Sequence, residues 1–309
     1  MNKKIAVVGA GNVGASCAMY LAEANMADIV LLDIVEGIPQ GKGLDLTQAG
    51  SVRGYNAIVK GSNKFSEMKG ADIVIVTAGL PRKPGMTRED LLNKNADIIK
   101  SVGKNIKKYA PKSFVIVVSN PLDLMTFHMQ RVTGFPKSRV VGQAGVLDSI
   151  RFRAFIAMEL KIAMTDIAAM VLGGHGDTMV PLARYTTVSG IPIGELMSKD
   201  KIKKPIDRTR FGGGEIVKLL KTGSAYYAPA AASVEMAKAI FKDEKKLLAA
   251  SAFLTGQYGI NGIYIGVPVV LGAKGIEKIV ELKLTKGEKL ALKKSADTYK
   301  EHLKILGYK

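Results

Sequence analysis

The chain has 309 residues, 47% of them hydrophobic and 23% charged, with one cysteine, no tryptophan and a formal net charge of +18. The single cysteine excludes an internal disulfide framework and fits a reducing, cytoplasmic compartment; no uncharged apolar run of about 18 residues predicts a membrane span. At ~150 residues per domain, the length predicts two domains.

The positive excess is scattered, in short clusters such as Lys107-Lys108, Lys203-Lys204, Lys245-Lys246 and Lys293-Lys294, without interleaved aromatics. Solvated helix faces explain it better than a nucleic-acid or membrane surface, and neither partner is expected. The field would still attract small anionic ligands. The N-terminal apolar run, Ile5 to Val8, is too short for a signal peptide.

That run leads into Gly9-Ala10-Gly11-Asn12-Val13-Gly14, followed by a helical pattern from Ala15 to Ala24. A second run, Ile29 to Leu32, ends at Asp33, 19 residues beyond the third glycine. Strand, Gly-x-Gly-x-x-Gly, helix, strand and acid in this register predict a dinucleotide-binding unit. Gly9 makes the turn, Gly11 lets backbone approach a pyrophosphate, and Gly14 permits close helix packing. Asp33 would accept the adenosine ribose hydroxyls and repel a 2′-phosphate, which favours NAD over NADP.

Further strands are predicted at Ile58-Val59, Asp72 to Thr77, Phe114 to Val118 and Arg139 to Gly142, with helices between them, notably Arg88 to Tyr109. Alternating β-branched runs and helices read as a parallel sheet covered on both faces. Between Thr77 and Arg88 lies a loop with two prolines and the cation Arg82; it reads as a lid carrying guanidinium groups to an anion. Ser119-Asn120-Pro121 ends the next strand; Asn120 is either a helix cap or a ligand for a nicotinamide or substrate oxygen. His128, inside the following helix, reads as structural.

The fold changes character after Gly142. Asp148 and Arg151 lie three apart on one predicted helix, sharing a face. The apolar run Asp166 to Leu172 is predicted as a strand, and it delivers Gly173-Gly174-His175-Gly176-Asp177. His175, flanked by glycines at a strand end, is the candidate for acid–base chemistry; the alternative is a turn with a structural histidine. Residues 204–242 read as one or two helices with a break or bend at Gly212-Gly213-Gly214 and an interruption at Pro229. Lys246 to Ile260 and Gly262 to Leu271 are predicted antiparallel strands, and Thr285 to Leu306 a closing helix. No His/Cys cluster has metal-ligand spacing.

Together, Gly9 to Gly14, Asp33, Ala78 to Arg88, Ser119 to Asp123, Leu147 to Arg151 and Gly173 to Asp177 resemble the lactate/malate dehydrogenase family, in particular its lactate-dehydrogenase-like malate dehydrogenases. The resemblance covers most of the chain in the family's order. It implies a Rossmann-type doubly wound α/β domain over residues 1–143 and an α+β catalytic domain over 144–309. It also implies NAD as cofactor, a small dicarboxylate substrate (malate or oxaloacetate) and a homodimer or homotetramer.

The resemblance gives His175 the part of general acid/base and Asp148 that of its orienting partner. Arg151 would anchor one substrate carboxylate, Arg88 would polarise the carbonyl, and Arg82 would hold the second carboxylate. Asn120 would touch substrate and cofactor, Asn95 and Val118 the cofactor, and Ser224 the substrate pocket. Gly9, Ala10, Gly11, Asn12, Val13, Gly14 and Asp33 would hold the dinucleotide. Lactate dehydrogenases have glutamine at the position of Arg82, so lactate is the disfavoured alternative. A basic nucleotide- or nucleic-acid-binding protein is the remote one.

Overall fold

A computed structural model describes residues 3–81 and 87–308, apart from the side chain of Arg88. Its first half runs β1 (Lys4–Val8), α1 (Asn12–Glu23), β2 (Asp28–Leu32), α2 (Ile38–Arg53), β3 (Val59–Ser62), β4 (Ile73–Val76), α3 (Arg88–Tyr109), β5 (Phe114–Val117), α4 (Leu122–Thr133) and β6 (Val140–Gly142). These strands pair in parallel in the order β3-β2-β1-β4-β5-β6. The order reverses direction at β1, so a crevice opens beyond the carboxyl ends of β1 and β4. β1, β4 and β5 are buried nearly throughout, as their continuous Val/Ile runs require of a sheet covered on both faces.

The second half runs α5 (Ala144–Leu160), β7 (Ile167–Ala168), β8 (Val171–Leu172), β9 (Val180–Pro181), β10 (Thr187–Val188), β11 (Ile191–Pro192), α6 (Ile193–Leu196), α7 (Lys199–Leu220), α8 (Tyr227–Phe241), β12 (Lys246–Thr255), β13 (Asn261–Gly272), β14 (Gly275–Ile279) and α9 (Lys286–Ile305). β12 pairs antiparallel with β6 at Ser251 and Gly142, then with β13, and β13 with β14. Among the described residues, one nine-stranded sheet therefore carries both halves. Small sheets of two and three strands hold the segment around His175.

The structure corrects three expectations. The run from Asp166 to Leu172 is two strands rather than one: β7 pairs with β10, and β8 with β9. The strand expected to reach Ile260 ends at Thr255, where a short 3₁₀ turn takes over. And α7 passes through Gly212-Gly213-Gly214 without breaking. A Cβ at Gly212 would lie 3.2 Å from the Phe155 ring, and one at Gly213 3.6 Å from the Arg151 guanidinium. The triplet thus lets α7 approach α5 closely, and that packing offsets the roughly 1 kcal/mol per glycine of lost helix propensity. The break falls later, after Leu220, and Pro229 sits in the first turn of α8, where its missing N–H costs little.

Candidate active site

At the crevice, the turn after β1 is defined by contact. Gly9 has φ +105°, and a Cβ on Gly14 would sit 1.7 Å from the Gly9 carbonyl oxygen. Only glycine lets α1 start this close to the strand. Beside Gly11 the opposite holds: a Cβ there would meet nothing within 4 Å. The N-terminus of α1 has no side-chain cap and no acid in its first turn. Open space over unpaired N–H groups suits a pyrophosphate. Asp33 stands at the end of β2 and is half-buried; its carboxylate accepts the Ala10 N–H at 2.6 Å and the Val35 N–H at 3.0 Å. These residues fit the dinucleotide expected from the sequence.

Asn95 and Val118 lie nearby, in different ways. Val118 continues the β5 ladder, its N–H donating to the Val76 carbonyl at 2.9 Å. Asn95 is 1% exposed, and its amide is spent on Leu80 and on the Asn120 carbonyl. It ties the backbone at Leu80 to that at Asn120. Asn120 is exposed just before α4, and Pro121, not Asn120, occupies the cap position.

The second centre is His175. Its Nδ1 lies 2.9 Å from Asp148 Oδ2, on α5, and Asp148 is 2% exposed. A carboxylate at Nδ1 selects the tautomer with the proton there and leaves Nε2 to exchange a proton. Burial disfavours the imidazolium, but the charge of Asp148 and its hydrogen bond outweigh that, and the His175 pKa is raised.

Arg151 completes the cluster one turn along α5. Its Nη1 is 3.6 Å from Asp148 Oδ1, and its side chain is 11% exposed. Neither that Oδ1 nor Arg151 Nε has a hydrogen-bond partner among the described residues. A largely desolvated guanidinium with unused donors is a ready partner for a carboxylate. Arg82 lies outside the described residues, as does the Arg88 side chain. Thr87 caps α3 in a box with Asp90, which fixes where that helix begins. Ser224 is exposed on the α7–α8 connection and makes no hydrogen bond to the cluster.

Four residues escape the sequence reading. Asp123 is fully buried and accepts the His175 N–H at 2.8 Å and the Ser251 hydroxyl at 2.6 Å; burial pushes its carboxyl up to about 6, against those two hydrogen bonds. From α9, Tyr299 donates to the His175 carbonyl at 3.1 Å, and Ser295 accepts the Gly174 N–H at 2.9 Å. The Asp148-Ser149-Ile150-Arg151 segment carried a signal; these partners lie 52 to 124 residues from the loop they hold, and no local pattern marks them.

Residues 3–142 match the family described as lactate/malate dehydrogenase, NAD binding domain, and residues 145–306 its alpha/beta C-terminal domain. The chain belongs to the lactate/malate dehydrogenase family. It is an NAD-dependent oxidoreductase with the family's Rossmann-type fold.

It is similar to the malate dehydrogenase of Roseiflexus sp. (strain RS-1), 53% identical over 306 residues, 99% of each chain. Among solved structures, the apo malate dehydrogenase of Picrophilus torridus has 47% identity and a TM-score of 0.95, covering 97% of this chain and 96% of that one. The lactate dehydrogenase of Cryptosporidium parvum, solved with lactic acid and the dinucleotide, has 44% identity and a TM-score of 0.96, covering 100% and 99%. Relatives that act on different acids superpose equally well, so the backbone alone does not choose the substrate.

Proposed function

We propose that the protein is an NAD-dependent malate dehydrogenase, interconverting (S)-malate and oxaloacetate. The observation that supports it most directly is the buried triad of His175, Asp148 and Arg151, in which a guanidinium with unused donors lies beside an oriented imidazole. In malate oxidation, Nε2 of His175 takes the hydroxyl proton as the C2–H bond breaks. Bound NAD⁺ supplies the hydride acceptor. Asp148 stabilises the imidazolium that results, and Arg151 holds the carboxylate next to the reacting carbon.

In this reading Arg82 pairs the distal carboxylate and Arg88 polarises the reacting oxygen. Pyruvate would leave Arg82 desolvated and unpaired. Sites built for a polar group reject analogues that lack it by up to ~10⁴–10⁵, against ~10–200-fold for size alone. Asn120, exposed just before α4 and with no side-chain hydrogen bond among the described residues, would touch both ligands; Ser224 would need its connection to move inward.

The test is steady-state oxidation of NADH with oxaloacetate and with pyruvate. A strong preference for oxaloacetate supports the assignment; a preference for pyruvate makes the protein a lactate dehydrogenase. We further propose self-association as a dimer or tetramer, supported by exposed Leu44 on α2, Met158 on α5 and Phe211 and Leu219 on α7. Light scattering that finds only monomer would refute it. No helix among the described residues is long and apolar enough to cross a membrane, and the buried thiol of Cys17 agrees with a cytoplasmic setting. The +18 charge acts, in this reading, through its field on anionic ligands; salt-sensitive binding of duplex DNA would point instead to a polyanion partner.

A further inference from the structure

The glycine-rich turn is held from outside by a residue that no dinucleotide motif contains. Lys42, on α2, donates from Nζ to the Ala10 carbonyl oxygen at 2.7 Å. From the other side, Asp33 accepts the Ala10 N–H at 2.6 Å. Both peptide units that meet at Ala10 are therefore fixed by side chains from different elements. Lys42 makes no ion pair with a carboxylate among the described residues, so this carbonyl is its partner.

The mount of Lys42 is stiff. A Cβ on Gly61 would lie 1.9 Å from the Pro39 carbonyl oxygen, and one on Gly43 2.7 Å from Gly61 N and the Val59 carbonyl oxygen. The first turns of α2 are thus pressed against β3, and the lysine stem reaches from a fixed base.

In a trans peptide the carbonyl and the following N–H point in opposite directions. The Ala10 carbonyl turned toward Lys42 obliges the Gly11 N–H to point away from it. That N–H has no acceptor among the described residues, and it adjoins the open space over Gly11. A flipped Ala10–Gly11 peptide would present an oxygen where the diphosphate binds. We propose that Lys42 is a positioning residue for the cofactor, locking the Ala10–Gly11 peptide with its N–H toward the dinucleotide's diphosphate. The proposal rests on NAD being the cofactor and is independent of which acid is oxidised.

Lys42→Met keeps most of the stem and removes the donor; Lys42→Arg restores one. NADH binding by fluorescence titration is expected to weaken about ten- to a hundredfold in Lys42→Met, the scale of a lost charge-assisted hydrogen bond, and to recover in Lys42→Arg. ADP is expected to lose as much as NADH, and adenosine, which has no phosphate, almost nothing. The loss should persist at 0.5 M NaCl, where a mere long-range attraction would be screened, and kcat at saturating NADH should stay within about twofold of wild type. Unchanged NADH affinity in a folded Lys42→Met protein would overturn the proposal. So would a loss that vanishes in salt, an equal loss for adenosine, or a fall in kcat alone. If Lys42→Met does not fold, Lys42→Leu provides the same comparison, since it too removes the donor. Wild-type NADH binding, measured alongside, keeps a failure of this proposal distinct from a failure of the cofactor assignment.

Discussion

Asp123 holds His175 by its backbone, accepting the N–H at 2.8 Å, while Asp148 holds the same residue by its ring at 2.9 Å. Two buried carboxylates thus divide the work: one fixes where the loop lies, the other which nitrogen carries the proton.

For Asp123 we expect the two obvious substitutions to diverge. Asp123→Ala strands the His175 N–H and the Ser251 hydroxyl, each at about 1–3 kcal/mol, and should lower both Tm and kcat. Asp123→Asn keeps an acceptor for His175. Its carboxyl is pushed from an ordinary 3.8 up to about 6 in the folded state, so the native protein binds that proton more tightly than the unfolded chain. The resulting penalty is absent below about pH 4, grows as pH rises to about 6 and then levels off, on the order of 2–3 kcal/mol. The Tm of Asp123→Asn relative to wild type should accordingly rise between pH 4 and 6; a flat difference across that range contradicts the account.

The pH–rate profile follows from His175. Malate oxidation needs the neutral imidazole and should rise as pH passes its raised pKa; oxaloacetate reduction needs the imidazolium and should fall there. Asp148→Asn removes the carboxylate that holds the pKa up, while burial remains. Both limbs should move to lower pH, and turnover should drop. Profiles measured in the two directions check this, and limbs that stay in place would detach Asp148 from His175.

His175→Asn is expected to bind NADH as wild type does yet to lose turnover by about three decades, the scale of a missing general base. Stopped-flow and equilibrium titration separate the two quantities. Near-normal turnover would remove the imidazole from the chemistry.

Arg82→Gln should shift preference from oxaloacetate toward pyruvate by two decades or more, as a ratio of kcat/KM values, because the proposed function makes Arg82 the fork for the second carboxylate. An unchanged ratio would mean that another residue chooses the acid.

Gly174→Ala tests the packing behind the loop. The new methyl would fall 2.0 Å from Tyr299 Cε2 and 2.5 Å from Cζ, on a ring that is 9% exposed and fixed by its hydrogen bond to His175. We expect a loss of about 1–3 kcal/mol in thermal or urea unfolding together with a lower kcat. Wild-type stability and rate would show that α9 yields freely.

What could be read from the chain was whatever is local. The turn from Gly9 to Gly14 and Asp33 lie in one βαβ unit, and the start of α3 at Arg88 follows from the Thr87–Asp90 box. The Asp148–Arg151 spacing is likewise a property of one helix. What escaped depends on tertiary contact. Asp123 enters the sequence reading only as the end of the Ser119 to Asp123 match, and nothing local singles out Lys42. The glycines at 212–214 read as a break because nothing in the sequence reveals the ring of Phe155 and the guanidinium of Arg151 against them. The strand around Asp166 to Leu172 divides because its two ends pair with different neighbours, Ile167-Ala168 with β10 and Val171-Leu172 with β9.

The grip of Ser295 and Tyr299 on the loop has a bearing on biosynthesis. The oxygen of Ser295 lies 121 residues downstream of the Gly174 amide it accepts, on α9, which is synthesised well after the loop it holds. A nascent chain that has already made its nucleotide fold and its imidazole still lacks the clasp that sets the imidazole's height and tilt. The backbone on either side of the imidazole thus takes two of its hydrogen bonds from a helix that the ribosome makes more than a hundred residues later.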